Sequence, residues 1–191
     1  REFPDANYGA APSLYVSAGE GLSTLISFDL RAIAAGAVVR WATLRLTPAQ
    51  ARTSSVNLQA YQVYREWQED QVSWKQARRN SAWALGGCND TTKDRAGVTS
   101  AESVLLPTDA QATLNLTGLA QTWVNSPTSN QGILIKGYNP SSASTYAFWS
   151  SQANATGVRP QLCIEYQAPA GTTGQIAGVV WADFNANQKR E

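Results

Sequence analysis

Apolar and polar residues alternate along most of this chain. In residues 40–48 (RWATLRLTP), Ala42, Leu44 and Leu46 share one face while Arg45 points to the other. That period of two belongs to a strand with one side on a core. The same pattern recurs in residues 23–30, 56–64, 112–117, 132–138, 145–150 and 159–166. Gly, Pro, Asn and Ser turns separate these short runs, and the series predicts an all-β, antiparallel sandwich. One stretch breaks the rhythm. In residues 116–125 (LTGLAQTWVN), Leu116, Leu119, Ala120 and Trp123 follow helical spacing, with Thr117 as the expected N-cap and the NSP that follows as the stop. A single short helix across one end of the sandwich satisfies this pattern.

Three punctuation-rich stretches read as loops: residues 1–13, 75–103 and 139–144. The middle one is long for a structureless connection, and such loops are usually functional or pinned. Domain organisation follows: a sandwich over 1–166, a linker (QAPAGTTGQ) around 167–175, and a C-terminal strand over 176–191 carrying Ile176, Val179, Val180, Trp181 and Phe184. That last piece is too short to fold alone, so it is expected as a detached strand.

Composition narrows the function classes. Only 15% of residues are charged, and Ser, Thr, Asn and Gln supply the polarity, a profile of extracellular β proteins. The formal net charge of +1 gives no field for nucleic acid, and the basic cluster Arg78–Arg79 reads as part of a solvated loop. No apolar run reaches the roughly 18 residues of a membrane-spanning helix. The absence of Met, even at position 1, reads as a mature or trimmed product whose export signal has been lost. There is no histidine, which removes the usual general base and the commonest metal ligand. The two cysteines, Cys88 and Cys163, could bridge in an oxidising compartment, closing a loop worth ~4 kcal/mol; two separate buried thiols are the alternative.

The stretch 66–77 (EWQEDQVSWKQA) joins aromatic rings to acids. Trp67, Glu69, Asp70 and Trp74 are the ingredients of a carbohydrate-cleaving site, but a glycosidase needs two carboxyl groups facing one another across a cleft. Neighbours on a strand point to opposite faces. The expectation is therefore that the tryptophans anchor the fold, Glu69 bonds locally, and no catalytic residue is present. Sugar stacking needs exposed aromatic faces beside polar groups, and Trp83, Tyr138, Tyr146 and Trp149 are the candidates. No cofactor is required. Calcium has two weak candidate sites, Asp90 with Asp94 and the spaced oxygen ligands Asp183, Asn185 and Asn187. Asn89, Asn115 and Asn154 open N-x-T triplets, which indicate surface exposure.

The order of motifs adds a resemblance. NYGAAPSLYVSAG, then LISFDLRAIAAGAVVRWATLRL, then Trp67, Glu69, Val72, Ser73 and Trp74, then LNLTGLAQTWVNSPTSNQGILIKG with Trp123, and FWSSQANATGVRPQLCIEY together resemble the DNRLRE-type β-sandwich modules of secreted and surface microbial proteins. The resemblance spans about residues 4–166 and implies a jelly-roll-like sandwich without catalytic machinery, in a prokaryotic extracellular or cell-surface setting. Two departures stand out: Gln152 replaces a usual acid, and the family's first strand, of the DTYV kind, is absent. The tail GQIAGVVWADFNANQKRE resembles the opening strand of collagen-adhesin B-type repeats.

Two functions from different classes follow. A sandwich without its first strand leaves a groove, and the C-terminal strand of a neighbour could fill it; identical subunits would then join head-to-tail as a fibre. The alternative is a carbohydrate-binding module whose partner is a polysaccharide.

Overall fold

A computed structural model describes residues 3–18, 21–139 and 144–169, together with the backbone of 178–181. Alternation becomes two four-stranded sheets. In the first, β12 (Gly178–Trp181), β11 (Gln161–Gln167), β3 (Val38–Leu46) and β8 (Ala112–Asn115) lie side by side in that order. The second runs β2 (Ser23–Ile26), β9 (Ile133–Tyr138), β4 (Val56–Gln62) and β7 (Ala101–Leu105). Every ladder within them is antiparallel. Leu44, Leu46, Leu114, Leu162 and Ile164 from the first sheet meet Ile26, Leu58, Leu105, Ile133 and Ile135 from the second in one continuous core. This is the all-β sandwich expected from the sequence.

A separate ladder, β1 (Ser13–Ser17) with β10 (Thr145–Trp149), stitches the sheets together. Ala18 bridges to Gly137 of β9, while the backbone of Trp149 donates to Thr47 just after β3 at 2.9 Å. The helix, α1 (Thr117–Asn125), buries Leu119, Ala120, Trp123 and Val124. Its N-cap is Leu116 rather than Thr117. The Thr117 hydroxyl is engaged elsewhere, accepting from the Ala42 amide (2.9 Å) and donating to Asn115 Oδ1 (2.7 Å), so it ties the helix to β3.

The stretch expected as a loop over 75–103 contains a small hairpin, β5 (Gln76–Arg78) with β6 (Ser81–Ala82), and the start of β7. Residues 64–100 cross the outer face of the second sheet. There Val63, Ala77, Trp83, Cys88 and Leu134 form a second apolar cluster, with Leu25, Tyr61, Trp67 and Val72 against it.

The expected Cys88–Cys163 bridge is not made; both thiols are free and buried. Cys88 sits in the cluster outside the second sheet. Cys163 lies between Leu162 and Ile164 of the core, so alternation turns it to the outer face of the first sheet. The core separates the two sulfurs, which is far beyond disulfide reach.

In place of a detached strand, residues 178–181 pair with β11 of the same chain, Val180 opposite Leu162 and Val179 opposite Cys163. Ile176, Phe184, Asp183, Asn185 and Asn187 lie outside the described residues, as do the side chains of Val179, Val180 and Trp181.

Candidate functional site

The second cluster floors a cleft of about 770 Å³ on the outer face of the second sheet. Three segments remote in sequence supply most of it: residues 3–15, residues 21–26 of β2 and its approach, and the crossing segment between Trp67 and Cys88, with Leu134, Thr145, Ser150 and Ser151 completing the lining. Phe3, Tyr8, Tyr15, Trp67, Trp74 and Trp83 all contribute to its walls. Tyr8 is 67% exposed and Phe3 64%, so the mouth is aromatic as well as the floor.

Each tryptophan is held by a polar contact or close packing. Trp67 Nε1 donates to the carbonyl of Gln131 (2.8 Å) and Trp83 Nε1 to that of Ser73 (3.0 Å). The Trp74 carbonyl accepts from the Gly87 amide at 2.6 Å, and its ring lies flush on Gly86 and Gly87. Gly87 has φ +77°, a left-handed conformation that only glycine adopts cheaply. Paired indole N–H groups and a locked backbone leave rings preorganised at little further entropic cost.

Residues 69–71 form a turn rather than a strand. The turn still separates the two acids: Glu69 lines the cleft, while Asp70 is exposed. A strap over residues 3–12 closes on this turn. Asn7 Nδ2 donates to the carbonyls of Glu69 (2.6 Å) and Val72 (2.7 Å), Lys75 pairs with Asp5 (2.7 Å), and a side chain at Gly9 would collide with the Glu69 carbonyl. Burial, and secondarily the charge of Asp70, push the Glu69 carboxyl up to about 7. Among the described residues lining the cleft, Glu69 is the only carboxyl.

That shift sets a pH dependence. Unfolded Glu69 titrates at its ordinary 4.5 and folded Glu69 at about 7. Between those values the native chain holds a proton that the unfolded chain has released, so stability falls as pH rises through this window and stays lower above it. In Glu69→Gln this component is absent, and thermal midpoints measured from about pH 5 to 8 are expected to vary less than in the parent.

The other candidates scatter. Trp83 lines the cleft and is 5% exposed. Tyr146 is buried, donating to the Ser55 carbonyl (2.8 Å) and bonded to Ser54 Oγ (2.9 Å), so it offers no face to a sugar. Tyr138 is exposed at the end of β9, and half-buried Trp149 lies on β10; neither lines the cleft. Trp123 belongs to the core.

Asp94 is wholly buried and serves the crossing segment, taking Arg65 Nε (2.8 Å) and the amides of Ala84 and Leu85 (3.0 Å each). Asp90 Oδ1 accepts from the Thr92 hydroxyl and the amides of Thr92 and Lys93, which lower its pKa. Among the described residues no group of three or more His, Cys, Asp or Glu side chains is placed to hold a metal ion. Nor is any helix there long and apolar enough to cross a membrane.

Sequence reasoning did not single out Phe3, Tyr8 or Tyr15 for the cleft. The NYG around Tyr8 and the Gly86–Gly87 pair beyond Trp74 were the signals available.

Fold and site together define a β-sandwich module with an aromatic cleft outside one sheet. The chain belongs to the disaggregatase related repeat domain family, whose model matches residues 6–164. That match takes in β1 through β10 and much of β11, and it stops short of the tail. The family found is this one rather than the DNRLRE type that the motif order resembles. A search of curated proteins returns no match.

Proposed function

We propose that this chain is a non-catalytic repeat module of a secreted or cell-surface protein, and that it holds a polysaccharide chain in the cleft between the strap and the Trp67–Cys88 segment. The observation that carries this reading is the convergence of Tyr8, Tyr15, Trp67 and Trp74, over a floor that includes buried Trp83, with the carboxyl of Glu69 in one concave site. Sugar rings present apolar C–H faces that stack on aromatic rings, while their hydroxyls need polar partners. Ser13, Ser23 and Ser151 in the lining add hydroxyl groups to the carboxyl. With Glu69 the one acid among the described lining residues, holding rather than cleaving is the chemistry this site supports.

Head-to-tail strand donation is the other reading of the sequence. It requires residues 178–181 to leave the β11 edge with which they pair in their own chain, and this pairing favours a closed module.

Retention on polysaccharides separates the readings. Tyr8→Ala removes an exposed ring and is expected to leave the melting temperature nearly unchanged. Affinity electrophoresis should nevertheless show binding weakened about tenfold, or ~1.4 kcal/mol. If Tyr8→Ala and Trp74→Ala, both confirmed folded, are retained as strongly as the parent, the cleft is not the sugar site.

A further inference from the structure

The cleft is as one-sided in charge as it is aromatic. Among the described residues that line it there is no Lys or Arg, and Glu69 is the only acid. Three basic side chains of the flanking segment face acids already: Lys75 pairs with Asp5 (2.7 Å), Arg78 with Glu66 (2.9 Å) and Arg65 with Asp94 (2.8 Å), while exposed Arg79 stands outside the lining. Among the described lining residues a negatively charged ligand would find no cation, and anion recognition depends on such groups. Among the described residues the Glu69 carboxyl makes no hydrogen bond or ion pair, so it is free to meet whatever enters. We propose that the cleft selects uncharged glycan chains, with Glu69 the residue that rejects uronate- and sulfate-bearing ones.

This inference rests on the cleft being the sugar site. The physical reason is local. A carboxylate partly shielded from water repels a nearby anion more strongly than one in bulk solvent, whereas hydroxyl groups of a neutral chain can donate to it. Repulsion switches with ionisation. The other titratable groups lining the cleft are Tyr8, Tyr15 and Cys88, and burial holds the Cys88 thiol up at about 12. Asp70 stands beside Glu69 in the turn, and Asp5 and Lys75 belong to the strap contact. Rejection therefore follows the Glu69 carboxyl, weak below about pH 7 and full above it.

The test uses the full chain and polysaccharides matched in backbone but not in charge: hydroxyethyl- against carboxymethylcellulose, methyl-esterified against de-esterified homogalacturonan, and dextran against dextran sulfate. At about pH 8 the neutral member of any pair that binds should bind about tenfold more tightly than its charged counterpart. At about pH 5.5 the gap should shrink to about twofold or less, as Glu69 takes up its proton. Glu69→Gln should show the small gap at both pH values. Asp70→Asn, at an exposed position, should move the onset of the gap to lower pH, because it removes the charge that helps raise Glu69. Charged members binding as tightly as neutral ones at about pH 8, or a gap that persists in Glu69→Gln, would overturn the inference while leaving the cleft a sugar site. Failure of all three pairs to bind would overturn both.

Discussion

Asp94→Ala is expected to cost about 3–5 kcal/mol of stability, read from urea or guanidinium denaturation. The carboxylate is fully buried, and it is the common acceptor for Arg65 and for the amides of Ala84 and Leu85. Removing one partner of a buried ion pair costs more than the pair contributes, because the other charge stays behind. Arg65 keeps 30% side-chain exposure and can draw on water, which sets the ion-pair share near the lower end of that range. The two amides add about 1 kcal/mol each as donors deprived of an acceptor. The backbone carbonyl of Asp94 also accepts from Tyr64 (2.8 Å), so the residue clamps both ends of the crossing segment. Limited proteolysis should accordingly find new cleavage between residues 83 and 97 in the variant. Asp94→Asn, which keeps one carbonyl oxygen, should recover part of the loss; equal stability of parent and Asp94→Ala would show that the clamp holds nothing.

Gly87→Ala is expected to have the second largest effect, and to act on the cleft as well as on the fold. At φ +77° an alanine carries a backbone penalty of about 1–3 kcal/mol. Its Cβ would also lie 2.5 Å from two carbons of the Trp74 ring. A tryptophan ring cannot bend away like the end of a lysine, so it must rotate out of its place in the wall. Loss of stability should therefore be accompanied by weakened polysaccharide retention and altered tryptophan fluorescence. Gly118→Ala is the matched control, since nothing lies within 4 Å of a Cβ there and the position is helical. It should be neutral or stabilising by up to about 1 kcal/mol.

Much of the architecture was legible in the chain because it rests on local alternation. Runs over 40–48, 56–64 and 159–166 became β3, β4 and β11 with ends displaced by a few residues. The run over 23–30 was shortened for a reason that alternation does not encode. Phe28 and Leu30 remain buried, yet the ladder stops at Ile26 because its partner strand begins at Ile133. Immediately before it, Gly132 turns left-handed, so close to β2 that an added Cβ would collide with the Ile26 carbonyl oxygen. Thr117 was legible as a polar residue at a helix start, but its role required knowing that Ala42 lies across from it.

The site divides along the same line. The spacing of apolar residues alone determined that this protein is a β-sandwich with a short helix over 117–125, because side-chain direction repeats every two residues in a strand and every 3.6 in a helix. The absence of histidine likewise withdrew a whole class of chemistry. Only the tertiary structure decided that Cys88 and Cys163 lie on opposite sides of the core, that Tyr146 is interior, and that Asp94 is a clamp. It alone brought Tyr8, Glu69, Trp74 and Trp83 around one cleft. These are contacts between segments far apart in sequence, and their geometry depends on which strand follows which across a sheet, something that no local period records.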